Sequence, residues 1–125
     1  MRYHNRNFRR SMSYALRGIY DAVKYEFHMR VHLAMAVAAV TLGFLFRIEH
    51  GEWMYLTITI TLVLFAELMN TAIESYVDLA TRDIEEEARI SKDVAAGAVL
   101  LTSIHAVIAG LIIYLPRIIE LLSRV

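Results

Sequence analysis

The stretch Leu56–Leu79, LTITITLVLFAELMNTAIESYVDL, is long enough to cross a bilayer, yet it carries Glu67, Asn70, Glu74 and Asp78. Successive gaps of three, four and four residues bring these side chains to one side of a helix with about 3.6 residues per turn. The other sides are Leu, Ile, Val, Phe, Met, Ala and Thr. A charge at the centre of a membrane helix costs roughly 2.5–3.5 kcal/mol, so such groups face a protein interior or a cavity and have a partner. Three carboxylates and an amide on one stripe therefore predict a built site, best suited to a cation.

The surrounding chain agrees with a membrane setting. Of its 125 residues 58% are hydrophobic, against about 45–50% in a typical soluble domain. The length suits one domain, residues 1–125. A formal net charge of zero removes any global argument for nucleic acid, and the lack of Cys excludes disulfides and thiolate metal ligands. The polar, basic start MRYHNRNFRR does not read as a signal peptide, so insertion is expected from the spans themselves.

Taken in order, the first element is an amphipathic helix over about 8–27. Phe8, Met12, Leu16, Ile19, Val23 and Phe27 form its apolar side, with Arg10, Arg17 and Lys24 elsewhere. Its charges are too many to span, and a basic face suits the membrane surface. Three spans follow, at about 29–48, 53–80 and 92–117. The first connector, RIEHGE, is expected to turn at Gly51, with Trp53 and Tyr55 in an interfacial aromatic belt. The second, TRDIEEEARISK, is charged and has its own helical bias, and the third span is expected to close at Tyr114 and Pro116.

Basic residues set the expected orientation. Arg2, Arg6, Arg9, Arg10, Arg17, Lys24 and Arg30 precede the first span, and Arg82, Arg89 and Lys92 lie in the second connector. The first connector holds only Arg47, and the tail only Arg117 and Arg124. The positive-inside rule places the N-terminus and the second connector in the cytoplasm. Glu26, Glu74, Asp78, Lys92 and Asp93 then share one level, with Glu67 about 10 Å deeper than Glu74. Carboxylates hold Mg²⁺ through oxygen, and the metal holds nucleotide phosphates. A Lys near a helix N-terminus adds a point charge for phosphate, and a deeper carboxylate can take a proton from a hydroxyl at the membrane boundary. No GxxxxGK[ST] loop is present, so a nucleotide site would be of another kind.

At these residues the chain resembles the prokaryotic diacylglycerol kinase family, which includes undecaprenol kinases. The motifs are AELMNTAIESYVDL at Ala66–Leu79 and ARISKDVAAGAV at Ala88–Val99, with Glu26 in register. The resemblance implies an all-α membrane protein, a surface helix plus three transmembrane helices, assembled as a homotrimer in the bacterial inner membrane. It implies ATP and Mg²⁺, and phosphoryl transfer to a lipid hydroxyl of undecaprenol or diacylglycerol. By the same resemblance Glu67 is the base and Asn70 orients a glutamate or the substrate, while Glu26 and Glu74 hold the metal. Tyr14, Glu26, Glu74, Asp83, Glu85, Lys92 and Asp93 would meet ATP, although DIEEE at Asp83–Glu87 departs from the family's His-containing version. Lipid contact is implied at Glu67, Ala96 and Arg30. His32, Glu52-Trp53 and GLIIYLP are similar to the undecaprenol kinase branch, whereas Arg30 is similar to the diacylglycerol kinase side.

Several residues also have plain structural readings. His105 is expected to be a hydrogen-bonded packing residue, Glu85–Glu87 a solvated face, and His28 and His32 surface groups or contacts to lipid or phosphate. The rival from another class is a non-enzymatic protein that binds or conducts cations along Glu67 and Glu74.

Overall fold

The computed structural model describes residues 7–125; Tyr3, and the lead-in basic residues Arg2 and Arg6, lie outside them. Those residues form four helices and no strand: α1 (Phe8–Tyr25), α2 (Phe27–Leu45), α3 (His50–Ala80) and α4 (Glu86–Ser123). The last three are long and apolar enough to cross a membrane. At about 1.5 Å per residue, α3 and α4 exceed the roughly 30 Å hydrocarbon core, so their polar ends emerge from it.

The α1–α2 junction is a one-residue corner. Glu26 is extended (φ −98°, ψ 119°) and stands at the N-cap of α2, where a carboxylate is favoured by the helix dipole. Arg30 reaches back across the corner. Its guanidinium donates to the carbonyl of Lys24 at 2.8 Å, one of the carbonyls left without an intrahelical partner at the end of α1. The apolar side of α1, with Phe8, Met12, Leu16 and Ile19, remains exposed.

The α2–α3 turn is not made by Gly51, which sits in the first turn of α3. It is made by Arg47, the one non-glycine residue with positive φ (50°) among the described residues. The amide of Ile48 donates to Gly43 O at 3.1 Å and that of Arg47 to Phe44 O at 3.3 Å, the paired bonds of a Schellman motif. Glu52 then accepts the Glu49 amide at 2.9 Å, capping α3. It also accepts two bonds from Arg117 of α4, at 2.8 and 2.6 Å.

Most of the charged second connector belongs to α4, and only Thr81–Glu85 lies outside a helix. Glu86 and Glu87 occupy the first turn, and Arg89 pairs with Glu86 and Asp93 at three- and four-residue spacing. These favour helix there. Pro116 lies inside α4 instead of ending it. Arg117 donates to the Ile113 carbonyl at 2.5 Å in that turn.

Lipid is as apolar as leucine, so burial alone does not drive helices together in a bilayer. Cross-helix hydrogen bonds contribute instead, about 0.6 kcal/mol on average. Tyr114 Oη donates to the Ala39 carbonyl at 2.6 Å, linking α4 to α2. Thr59 and His105 Nε2 stand 3.4 Å apart across α3 and α4, with the Tyr55 ring edge-on to His105 at 5.5 Å. His105 is thus a packing residue. Around these bonds Ile48, Leu56, Ile113 and Tyr114 form the buried cluster. In α2 only Met29 and Gly43 are buried, leaving its apolar flanks to lipid or another subunit.

Candidate active site

Ala66 and Glu67 are the last buried residues of α3, and they stand where its apolar half gives way to the polar stripe. Glu67 is 3% exposed, and its Oε2 lies 3.8 Å from His32 Nε2 on α2. One turn further on, Asn70 Nδ2 donates to Glu74 Oε1 at 3.1 Å. Asn70 Oδ1 is buried and has no hydrogen-bond donor among the described residues. A buried acceptor without a donor costs on the order of 1–3 kcal/mol, so this oxygen is suited to a donor from a ligand or neighbour.

The His32–Glu67 contact fixes the register of two antiparallel helices. Glu26 precedes His32 by six residues, about 9 Å, and Glu74 follows Glu67 by seven, about 10.5 Å, toward the same end. The two half-buried carboxylates therefore differ in depth by only about 1.5 Å. Asp78, about 6 Å beyond Glu74, makes an ion pair with Lys92 of α4. That pair places the Lys92 ammonium at the same end as Glu26 and Glu74.

Other expected residues are placed as follows. Asp93 is held by Arg89 at 2.5 Å. Asp83 and Glu85 belong to the α3–α4 link, where the Asp83 amide donates to Thr81 Oγ1 at 3.2 Å and Thr81 Oγ1 to Glu85 Oε1 at 3.5 Å. Tyr14 is exposed on α1, and Ala96 is exposed on α4 beside buried Ala95. Arg30 serves the α1 corner described above. The resemblance puts Lys92 on phosphate; in the structure its ammonium pairs with Asp78, which helical period alone does not predict. The short link could have signalled it, because it brings the end of α3 beside the start of α4.

Among the described residues no group of three or more His, Asp and Glu side chains is close enough to hold a metal ion alone. Mg²⁺ keeps several waters and binds through one or two carboxylates plus substrate phosphates, so the carboxylate chemistry of Glu26 and Glu74 suits it. Outward from Glu67, an apolar cavity of about 380 Å³ lies between α2, α3 and α4, with His32, Ala36, Val63, Ala106, Gly110 and Tyr114 among its walls.

Three helices long and apolar enough to span, with a buried acid and further carboxylates toward one end, define a membrane protein with a polar site near one end. Residues 13–114 match the family model described as prokaryotic diacylglycerol kinase, and the chain belongs to that family of lipid kinases. It is 39% identical over 111 residues to an undecaprenol kinase of Bacillus subtilis, covering 89% of this chain and 90% of that one. It is also 41% identical over 113 residues to a diacylglycerol kinase of Synechocystis sp.. That match covers 90% of this chain but 65% of the Synechocystis protein, so the chain spans slightly less than two thirds of that relative.

Proposed function

We propose that this lipid kinase transfers the γ-phosphoryl group of ATP to the hydroxyl of undecaprenol at the cytoplasmic face of the bacterial inner membrane. The N-terminus lies in the cytoplasm and the working unit is a homotrimer. The observation that carries the reading is Glu67, a carboxylate 3% exposed and about 10.5 Å deeper than Glu74. Its depth suits a hydroxyl presented from the lipid, and that of Glu26 and Glu74 suits a nucleotide presented from water.

Glu26 and Glu74 would hold Mg²⁺, which when bound with ATP would supply neutralisation of the phosphate charge. Lys92 supplies a point charge to the phosphates and Asp93 stands beside it, with Tyr14, Asp83 and Glu85 assigned to the nucleotide. Glu67 accepts the lipid O–H proton. The freed oxygen bonds to the γ-phosphorus as the bond to the β,γ-bridging oxygen breaks, and ADP leaves with that electron pair. Asn70 holds Glu74 through its amide nitrogen and offers its unpaired Oδ1 to the substrate. Arg30 and Ala96 are assigned to the lipid. Positioning and charge neutralisation supply most of the rate.

Undecaprenol is favoured over diacylglycerol because the undecaprenol kinase relative is matched over 90% of its length. Cation conduction is disfavoured because α3 carries no Asp or Glu from Trp53 to Ala66, so the acidic stripe stops short of the other side. The test is the purified protein in detergent micelles with γ-labelled ATP, Mg²⁺ and either undecaprenol or diacylglycerol. Label is expected mainly in undecaprenyl phosphate. Label only in phosphatidic acid would overturn the choice of lipid, and label in neither would overturn the ATP-dependent reaction.

A further inference from the structure

His32 has no role in the mechanism above, yet its imidazole is the one group within ion-pair distance of Glu67 among the described residues. It also lines the apolar cavity, so one side chain borders both that space and the acid. We infer that His32 is a positioning residue for Glu67, its Nε2–H donating to Oε2 so that Oε1 is left facing the lipid hydroxyl. This rests on the role of Glu67 as base.

A buried carboxylate needs a hydrogen-bond donor to hold it. A base must also keep one oxygen aimed at the proton it takes. The side-chain bond of the Asn70 amide goes to Glu74, one turn along α3 and away from His32. Thr59 and His105 form their own pair two turns away on the other side of Glu67. That leaves the His32 ring. Its separation of 3.8 Å is loose for a hydrogen bond, and catalytic bonds often tighten only when substrate is bound.

The test compares His32→Gln and His32→Leu in the same micelles, with Glu67→Gln alongside and nucleotide binding as the check on folding. Glutamine keeps a donor, and leucine keeps only bulk. His32→Leu is expected to lower kcat by about 10- to 100-fold, the scale of a misplaced catalytic group, with KM for ATP unchanged. His32→Gln should stay within about threefold of the parent, since its amide N–H can still hold the carboxylate. A space-filling role reverses the order, because leucine suits an apolar wall better than glutamine. Equal kcat in His32→Leu and the parent, or leucine above glutamine, overturns the inference while inactive Glu67→Gln leaves the base in place. Full turnover in Glu67→Gln would instead remove the base itself. If His32→Leu loses nucleotide binding, His32→Ala takes its place in the same comparison.

Discussion

Gly43→Ala should destabilise the protein, although Gly→Ala inside a helix ordinarily gains about 0.8–1 kcal/mol. A Cβ added at Gly43 would lie 2.7 Å from Trp53 Cη2, 3.0 Å from Trp53 Cζ2 and 3.2 Å from Ile48 Cδ1. Carbon atoms rest at about 3.5–4.0 Å, so the Trp53 ring would have to retreat by about 1 Å. It has little freedom to do so, because Phe44 packs against it with ring centroids 4.8 Å apart. Ile48 is tied by its amide to the Gly43 carbonyl. Overpacking of this kind costs about 1–3 kcal/mol. Set against the helix gain, the net loss is about 0–2 kcal/mol. Gly18 provides the contrast, since nothing lies within 4 Å of its Cβ position and Gly18→Ala should gain the full helix term. Unfolding in micelles can be followed through Trp53, the only tryptophan of the chain. Its emission should shift in Gly43→Ala and not in Gly18→Ala. A Gly43→Ala protein clearly more stable than the parent, with unchanged tryptophan emission, would refute the close approach of the α2–α3 turn.

Arg47→Gly should stabilise the fold by up to about 1 kcal/mol, because the left-handed conformation costs an L-residue that much or more and costs glycine nothing; chemical denaturation in micelles reads the sign. Arg30→Met removes the bond from α2 to the Lys24 carbonyl and should loosen α1, seen as faster proteolysis and hydrogen exchange in Phe8–Tyr25 while α3 and α4 stay protected.

The all-α architecture and its three apolar helices were legible because membrane segments announce themselves by composition and length. The stripe Glu67–Asn70–Glu74–Asp78 was legible for a related reason, since polar groups in an apolar helix can be mapped by helical period alone. What the period could not supply was the partner of each group. His32–Glu67 and Asp78–Lys92 depend on how α2 and α4 are rotated about their own axes, and nothing local in the chain encodes that rotation. The α2–α3 turn was misplaced because glycine is the usual residue at positive φ. Here Arg47 takes that conformation, and the two carbonyls of the Schellman motif are satisfied in return. Pro116 likewise reads as a helix end, yet α4 continues to Ser123. Proline is tolerated inside membrane helices where neighbouring groups meet the freed backbone. The α1 corner escaped notice because Arg30 reads as a membrane-surface cation, and its carbonyl partner lies in the preceding helix.

The proposed division of labour between two glutamates on one helix predicts different losses in Glu67→Gln and Glu74→Gln when phosphoryl transfer and nucleotide binding are measured side by side. Loss of the base is expected to lower turnover by about 10²–10⁴-fold in Glu67→Gln, with Mg²⁺-dependent ATP binding retained. Glu74→Gln is expected to weaken that binding itself. Normal turnover in Glu67→Gln, or unaltered Mg²⁺-dependent binding in Glu74→Gln, would contradict the account.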